Sequence, residues 1–172
     1  MRYKSKLKSV YFEPIDSPLS TKESLWLLST ITDNKDVHFF FQETTHLSLI
    51  HQITISTFDA YKIMQEGTAA TCISKYFKSD TPSEKWQYNK KGERHELFKI
   101  WGTDFVKEIY SNSYFANYEP SKKIDQFEYC IYTSSEVVEM ITQNPPVWKT
   151  HKNRKLADIL REIVDKLSLG SD

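Results

Sequence analysis

The sequence predicts an α+β fold in one domain, 1–172, with an antiparallel or mixed sheet built mainly from the N-terminal half and amphipathic helices from the C-terminal half. Two patterns support this class. Runs of β-branched and aromatic residues are concentrated in 36–57, and apolar residues recur at helical spacing after residue 93. A chain of 172 residues is also long enough to bury a substantial core as a single domain.

The first third of the chain predicts strands and one helix. Residues 2–12 alternate basic and non-basic side chains, as a strand with one solvated face would. Residues 17–31 predict a capped helix, because Ser20 or Thr21 precedes Glu23 and an apolar set then follows, formed by Leu25, Leu28 and Ile31. Two further strands are predicted from the runs DVHFFFQ and LSLIHQITIST.

The middle of the chain is less regular. The stretch 58–78 is interrupted by Gly67 and fits either two short helices or paired strands. The polar run 79–92 predicts a loop or a hairpin. Residues 93–110 predict an amphipathic helix, because apolar side chains recur every four residues at Leu97, Trp101, Phe105 and Ile109.

The last third predicts one strand and two helices. The run QFEYCIYT alternates its apolar residues as a strand does. Ser134 or Ser135 is expected to cap a short helix that continues through Met140. The last helix has Asn153 as the expected cap and Gly170 beyond its end. Its apolar stripe consists of Leu156, Ile159, Leu160, Ile163, Val164 and Leu167.

Composition excludes several classes of function. Lys plus Arg and Asp plus Glu both number 23, so a nucleic-acid binder would need a local basic patch. The four glycines are too far apart to form a phosphate-binding loop, and we expect no cofactor. The two cysteines have no framework spacing, and no signal-like or membrane-spanning apolar run is present. A cytoplasmic protein without membrane contact is therefore expected.

The titratable residues form no recognisable catalytic or metal motif. His46 and His51 would point to opposite faces of a strand and could not share a metal there. Glu43 and His46 would meet only on a helix, which their β-prone surroundings disfavour. The one acidic residue followed two positions later by lysine is Asp33, before Lys35, in a polar stretch. We therefore expect no metal site, no catalytic residues and no enzyme.

Two segments resemble binding loops instead. In 110–120, and again in 85–91, aromatic side chains alternate with small polar or basic ones, a composition typical of recognition surfaces. The candidate partner-binding residues are Trp86, Tyr88, Tyr110, Tyr114, Phe115, Tyr118, Trp148, Lys152 and Arg154. They favour a non-catalytic protein-binding module, such as an inhibitor, an immunity-type protein or a subunit of a larger complex.

Two basic clusters leave an alternative open. The first is Arg2, Lys4, Lys6 and Lys8; the second is Lys149, Lys152, Arg154 and Lys155. Either could contact a nucleic acid, as in a divergent metal-dependent nuclease or its accessory subunit. The first cluster is also the usual protection of an exposed edge strand, and the second also fits a solvated turn.

Overall fold

A computed structural model describes residues 2–4, 10–17, 19, 25–32, 35–65, 87–112, 127–133, 136–142 and 144–169. These residues form ten strands and two helices. The elements are β1 (Tyr3–Lys4), β2 (Tyr11–Ile15), β3 (Leu25–Thr32), β4 (Asp36–Glu43), β5 (Leu49–Ser56), β6 (Phe58–Gln65), β7 (Leu97–Trp101), α1 (Asp104–Asn112), β8 (Phe127–Tyr132), β9 (Glu136–Thr142), β10 (Val147–Lys152) and α2 (Leu156–Leu169).

The fold is mainly β, with two antiparallel sheets. Six strands follow the order β1-β2-β7-β8-β9-β6, and four follow the order β10-β5-β4-β3. One apolar cluster contains residues from both sheets, so the sheets face each other across it. Phe39 and Phe41 of β4 contribute from the smaller sheet, and Ile131 and Met140 contribute from the larger one. Phe39 also meets the ring of Tyr61 edge-on at 5.5 Å.

The outward face of each sheet is covered at least in part. Helix α2 packs on the smaller sheet, where Ile159 meets Phe40 and Ile50 in a second apolar cluster. A third cluster on the larger sheet contains Phe12, Phe98 and Cys130, among others. Cys130 is buried. Helix α1 lies at one end of that face, where Lys62 Nζ is 6.0 Å from the centre of the buried Phe105 ring.

The sheets draw strands from both halves of the chain, contrary to the predicted division between early strands and late helices. Residues 25–32 are strand β3, so the predicted capped helix there is wrong. Alternation along the strand places Leu25 and Leu27 in the central core and Leu28 against the outward cluster, and the ladder with β4 shifts register between Leu27 and Ser29. Apolar side chains on both faces of the strand thus give a spacing that resembles that of a helix.

Another predicted helix, and the first part of a third, are also strands. The segment 136–142 is β9, and only the second part of the predicted helix 93–110 is helical, because 97–101 is β7. Both strands lie inside the larger sheet and bury side chains on both faces, as Val137 and Val138 show by joining different clusters. A strand buried on both faces loses the alternation that normally identifies it.

The predicted single strand 2–12 is wrong, because β1 and β2 pair antiparallel with each other, with Tyr3 opposite Phe12. Several of the remaining elements agree with the sequence. Strands β4, β5 and β8 and helix α2 are where the sequence predicts them. The ambiguous stretch begins as strand β6, and its remainder lies outside the described residues. Strand β10 occupies the position expected to be a turn. Asn153 follows it in the left-handed conformation, at φ 53°, and α2 begins only at Leu156.

Candidate functional site

The hairpin formed by residues 87–95 presents an aromatic side chain on a well-ordered turn. Tyr88 pairs with Arg94, and backbone hydrogen bonds join Asn89 to Glu93 and His95 to Gln87. Gly92 has φ 73° and closes the turn by donating its N–H to the Asn89 carbonyl at 3.0 Å. A glycine suits this left-handed position because it has no Cβ to collide with the backbone.

The Asn89 side chain adds a second layer of support to the turn. Its Oδ1 accepts hydrogen bonds from the backbone N–H groups of Lys91 and Glu93 at 2.8 and 3.0 Å. Its Nδ2 donates to the Glu93 carboxylate at 2.7 Å. The side chains of Tyr88, Lys90 and Lys91 remain exposed around this fixed turn, Tyr88 by 45%. The tip therefore combines one aromatic and two cationic side chains.

A buried ion pair anchors the base of the hairpin. Arg94 Nε lies 2.7 Å from Glu96 Oε1, and the Arg94 guanidinium sits 5.4 Å above the Tyr132 ring. Burial raises the pKa of Glu96 to about 7, although the hydrogen bond and positive charge of Arg94 lower it. Arg94 Nη2 and Glu96 Oε2 are both buried and find no hydrogen-bond partner among the described residues. This pair fixes the hairpin to the larger sheet.

The other predicted partner-binding residues are dispersed. Trp148 lies on β10, half-buried against the central core, and Lys152 is exposed at the end of the same strand. Arg154 makes a two-pronged ion pair with Glu162 of α2, at 3.0 and 2.5 Å. Tyr110 belongs to α1, but its side chain is outside the described part of the structure. Also outside it are Trp86, Tyr114, Phe115 and Tyr118.

The two basic clusters lie at the edges of different sheets. Strand β1, with Lys4, is an edge of the six-stranded sheet, and β10, with Lys149 and Lys152, is an edge of the four-stranded one. Arg2 packs its guanidinium 4.1 Å above the Trp101 ring. Lys6 and Lys8 are outside the described residues. Nucleic-acid contact through either cluster stays a prediction.

A row of three polar side chains, which the sequence analysis did not predict, crosses the smaller sheet. His51 of β5 stands opposite Thr150 of β10, and its Nδ1 lies 3.1 Å from the Thr150 hydroxyl. His51 Nε2 lies 3.0 Å from Glu43 Oε1 at the end of β4. Glu43 thus pairs with His51, whereas His46 lies between the strands and is exposed. The order is hydroxyl, imidazole, carboxyl.

A second series of hydrogen-bonded side chains, which includes two histidines, runs across the outward face of the same sheet. His151 Nε2 lies 2.8 Å from Gln52 Oε1, and Gln52 Nε2 donates to Thr54 Oγ1 at 3.2 Å. Thr54 Oγ1 is in turn 2.9 Å from His38 Nδ1. Burial lowers the pKa of His151, and the positive charges of Lys149 and Arg154 add to this. The amide of Gln52 links the two imidazoles here, so this series differs chemically from the row that ends in the Glu43 carboxyl.

Two further carboxyls are buried beside α1 on the larger sheet. Burial raises the pKa of Glu128 to about 8, although a hydrogen bond from the Thr103 hydroxyl lowers it. Burial also raises the pKa of Glu139 to about 7, against a lowering by the charge of Lys62. Within the part of the chain that the structure describes, the Oε2 atom of Glu128 has no hydrogen-bond partner. Glu128 is therefore largely protonated near neutral pH, and Glu139 is about half protonated.

Within the described residues, no group of three or more histidine, cysteine, aspartate or glutamate side chains is arranged to hold a metal ion. Neither described helix combines the length and the apolar character that crossing a bilayer requires.

No known protein family, curated protein or solved structure matches this chain. Its function is therefore inferred from its own residues and their geometry.

Proposed function

We propose that this chain is a protein-binding module, such as an inhibitor, an immunity-type protein or a subunit of a larger complex, which contacts its partner through the 87–95 hairpin. The observation that carries the proposal is the exposed Tyr88 side chain on a turn held by Asn89 and Gly92. The role is binding rather than catalysis at this surface.

Preorganisation is the physical reason for choosing the hairpin. Ordering a flexible loop on association costs free energy, and a turn already held by side-chain and backbone hydrogen bonds avoids part of that cost. Tyrosine contributes a large contact area with few rotatable bonds, which is why it is frequent at binding hot spots. The buried Arg94–Glu96 pair supports the same turn from below.

The charge of the hairpin tip favours an acidic partner surface. Lys90 and Lys91 are exposed next to Tyr88. Cations at the rim of an interface mainly increase the association rate and do so less at high salt, whereas the aromatic anchor controls dissociation. Tyr88 should therefore contribute more to affinity than either lysine.

The test begins with affinity capture from the native host by the full chain, followed by titration of the purified partner. Tyr88→Ala should weaken binding by at least about 30-fold, the effect of losing about 2 kcal/mol at a hot spot. Exchanging Lys90 and Lys91 for glutamine should have a smaller effect that shrinks further at high salt.

Trp26 provides the matched control, because it is an exposed aromatic (57%) on β3 of the other sheet. Trp26→Ala should leave the affinity within about twofold of the original if the hairpin is the contact surface. Loss of binding in Trp26→Ala together with unchanged binding in Tyr88→Ala would contradict the proposal.

A further inference from the structure

The row of Thr150, His51 and Glu43 has the arrangement of a nucleophile, a general base and an orienting acid. The hydroxyl-to-imidazole distance is 3.1 Å and the imidazole-to-carboxyl distance is 3.0 Å, both within hydrogen-bond reach. We infer that this row is an acyl-transfer site that hydrolyses carboxylic esters, with Thr150 as the nucleophile. It is a different site from the hairpin and goes beyond the proposed binding role.

The partners of His51 give it the tautomer that a general base needs. An ionised Glu43 carboxylate only accepts hydrogen bonds, so the proton on the ring must be at Nε2. Nδ1 is then an acceptor and faces the Thr150 hydroxyl. The carboxylate also stabilises the imidazolium that forms when His51 takes the threonine proton. Glu43 is therefore a positioning residue, and Thr150 and His51 are the catalytic residues.

Exposure distinguishes the nucleophile from the groups behind it. Thr150 is exposed, whereas His51 and Glu43 are only 4% and 7% exposed. A substrate can thus reach the hydroxyl, while the imidazole and carboxyl are shielded from competing water. The His38–Thr54 pair is a useful contrast, because the residue that links it to the next imidazole is an amide, Gln52.

Strand β10 also provides surroundings suited to an ester. Among the described strands it is an edge of its sheet, so alternate backbone N–H groups point away from β5 and can donate to an oxyanion. Trp148 and Lys152 lie two residues to either side of Thr150 on the same face. The half-buried indole offers an apolar surface for the acyl group, and the exposed ammonium favours a substrate that also carries an anionic group.

The reaction needs no reactant besides ester and water. Thr150 Oγ1 attacks the carbonyl carbon as its proton passes to His51 Nδ1. Collapse of the tetrahedral intermediate breaks the bond to the alcohol oxygen, which takes that proton, and leaves an acyl-threonine ester. Water then attacks this ester and gives a proton to His51, and Thr150 recovers the proton as the carboxylic acid departs.

The test uses the full chain with p-nitrophenyl acetate and follows nitrophenol release together with peptide mapping of the acetylated residue. Acetyl transfer should be found on Thr150. Thr150→Val should lower the rate by at least about 100-fold, because it loses the hydroxyl and the general-base step together, and Thr150→Ser should retain activity. Circular dichroism should be unchanged for both variants, since position 150 is exposed.

The variants of the base and its orienting acid complete the test. His51→Gln should match Thr150→Val in rate. Glu43→Gln should lower kcat with little change in KM. Glu43→Asp should recover part of the lost kcat, because it keeps a carboxyl; if Glu43 only supported the fold, this recovery would not be seen. Thr54→Val is the matched control and should leave the rate unchanged. Nitrophenol release that is independent of Thr150, with acetyl groups on lysines, or an equal loss in Thr54→Val, would overturn the inference.

Discussion

Glu128 and Glu139 lie on the same face of the larger sheet, on adjacent strands and in diagonal register. Glu128 pairs with Ile141, and Glu139 pairs with Cys130, so the two carboxyls project side by side beneath α1. Their side chains are only 5% and 2% exposed. Each negative charge raises the energy of the other in this poorly solvated position, while the charge of Lys107 lowers the pKa of Glu128 and that of Lys62 lowers the pKa of Glu139.

Stability should therefore fall as pH rises above about 4.5. The folded-state pKa values of Glu128 and Glu139, about 8 and 7, lie above the ordinary value of 4.5, so the folded protein retains protons that the unfolded chain has released. The free energy of unfolding should decrease by up to about 1.4 kcal/mol per pH unit for each carboxyl across that window. Denaturant melts between pH 5 and pH 8 measure this slope.

Glu128→Gln is expected to reduce the slope, because an amide carries no titrating proton. Glu108→Gln changes an exposed glutamate of the neighbouring α1 and serves as the control. An unchanged slope in Glu128→Gln, or an equal change in the control, would show that the buried carboxyl is not the source of the pH dependence.

Removal of the Ile159 side chain should weaken the docking of α2. Ile159 is 2% exposed against Phe40 and Ile50, and Ile159→Ala should cost about 2–5 kcal/mol. Ile163→Ala should cost less, because Ile163 is half-buried. Val164→Ala is the control on the same helix: with the side chain 49% exposed, the loss should stay under about 1 kcal/mol. Equal losses at Ile159 and Val164 in urea titrations would argue against this packing.

Gly92→Ala should destabilise the hairpin through backbone strain alone. The position has φ 73°, and a Cβ placed there meets nothing within 4 Å. The expected cost is therefore conformational, about 1 kcal/mol. Gly92→Asn should cost less, because asparagine tolerates the left-handed region better than alanine. Thermal unfolding of the two variants checks the order, and a larger loss in Gly92→Asn would contradict this explanation.

The tyrosine-rich segment 110–120 remains a second predicted contact surface. Tyr114→Ala combined with Tyr118→Ala should weaken partner binding strongly without altering the circular dichroism spectrum. Neutralising Lys152 and Arg154 should have a smaller and more salt-dependent effect. Titration of the purified partner against both double variants shows which of the two loses more affinity. If the Lys152 and Arg154 variant lost more affinity than the tyrosine variant, the contact would be mainly electrostatic, as with a nucleic acid.

The spacing of apolar residues was sufficient to predict an element where one of its faces is solvated. It was also sufficient where a run is short and rich in β-branched residues. Helix α2 shows the first case: Ile159 and its neighbours in the apolar stripe pack on the smaller sheet, whereas Val164 and Leu167 at the end of the stripe are exposed. Strands β4 and β5 show the second. The hairpin at Gly92 was also predictable as one of two alternatives, because a glycine after polar residues favours a turn.

The spacing of apolar residues failed to predict strands whose two faces are both covered by other parts of the fold. In β7 three of five residues are buried and in β9 six of seven, and in β3 the neighbours Leu27 and Leu28 pack against apolar clusters on opposite faces. Helical periodicity and strand burial then give the same sequence of apolar residues. The pairing partner, which the local sequence does not contain, decides between them.

The sequence by itself determined a chain with a substantial core, an amphipathic C-terminal helix, several strands and no glycine-rich phosphate loop. Only the tertiary structure decided that the fold is two facing antiparallel sheets, and that Thr150, His51 and Glu43 form one row. Thr150 and His51 are 99 residues apart in the chain. Their contact depends on the register between β10 and β5, and register is set by pairing and burial over whole strands rather than by the residues that meet.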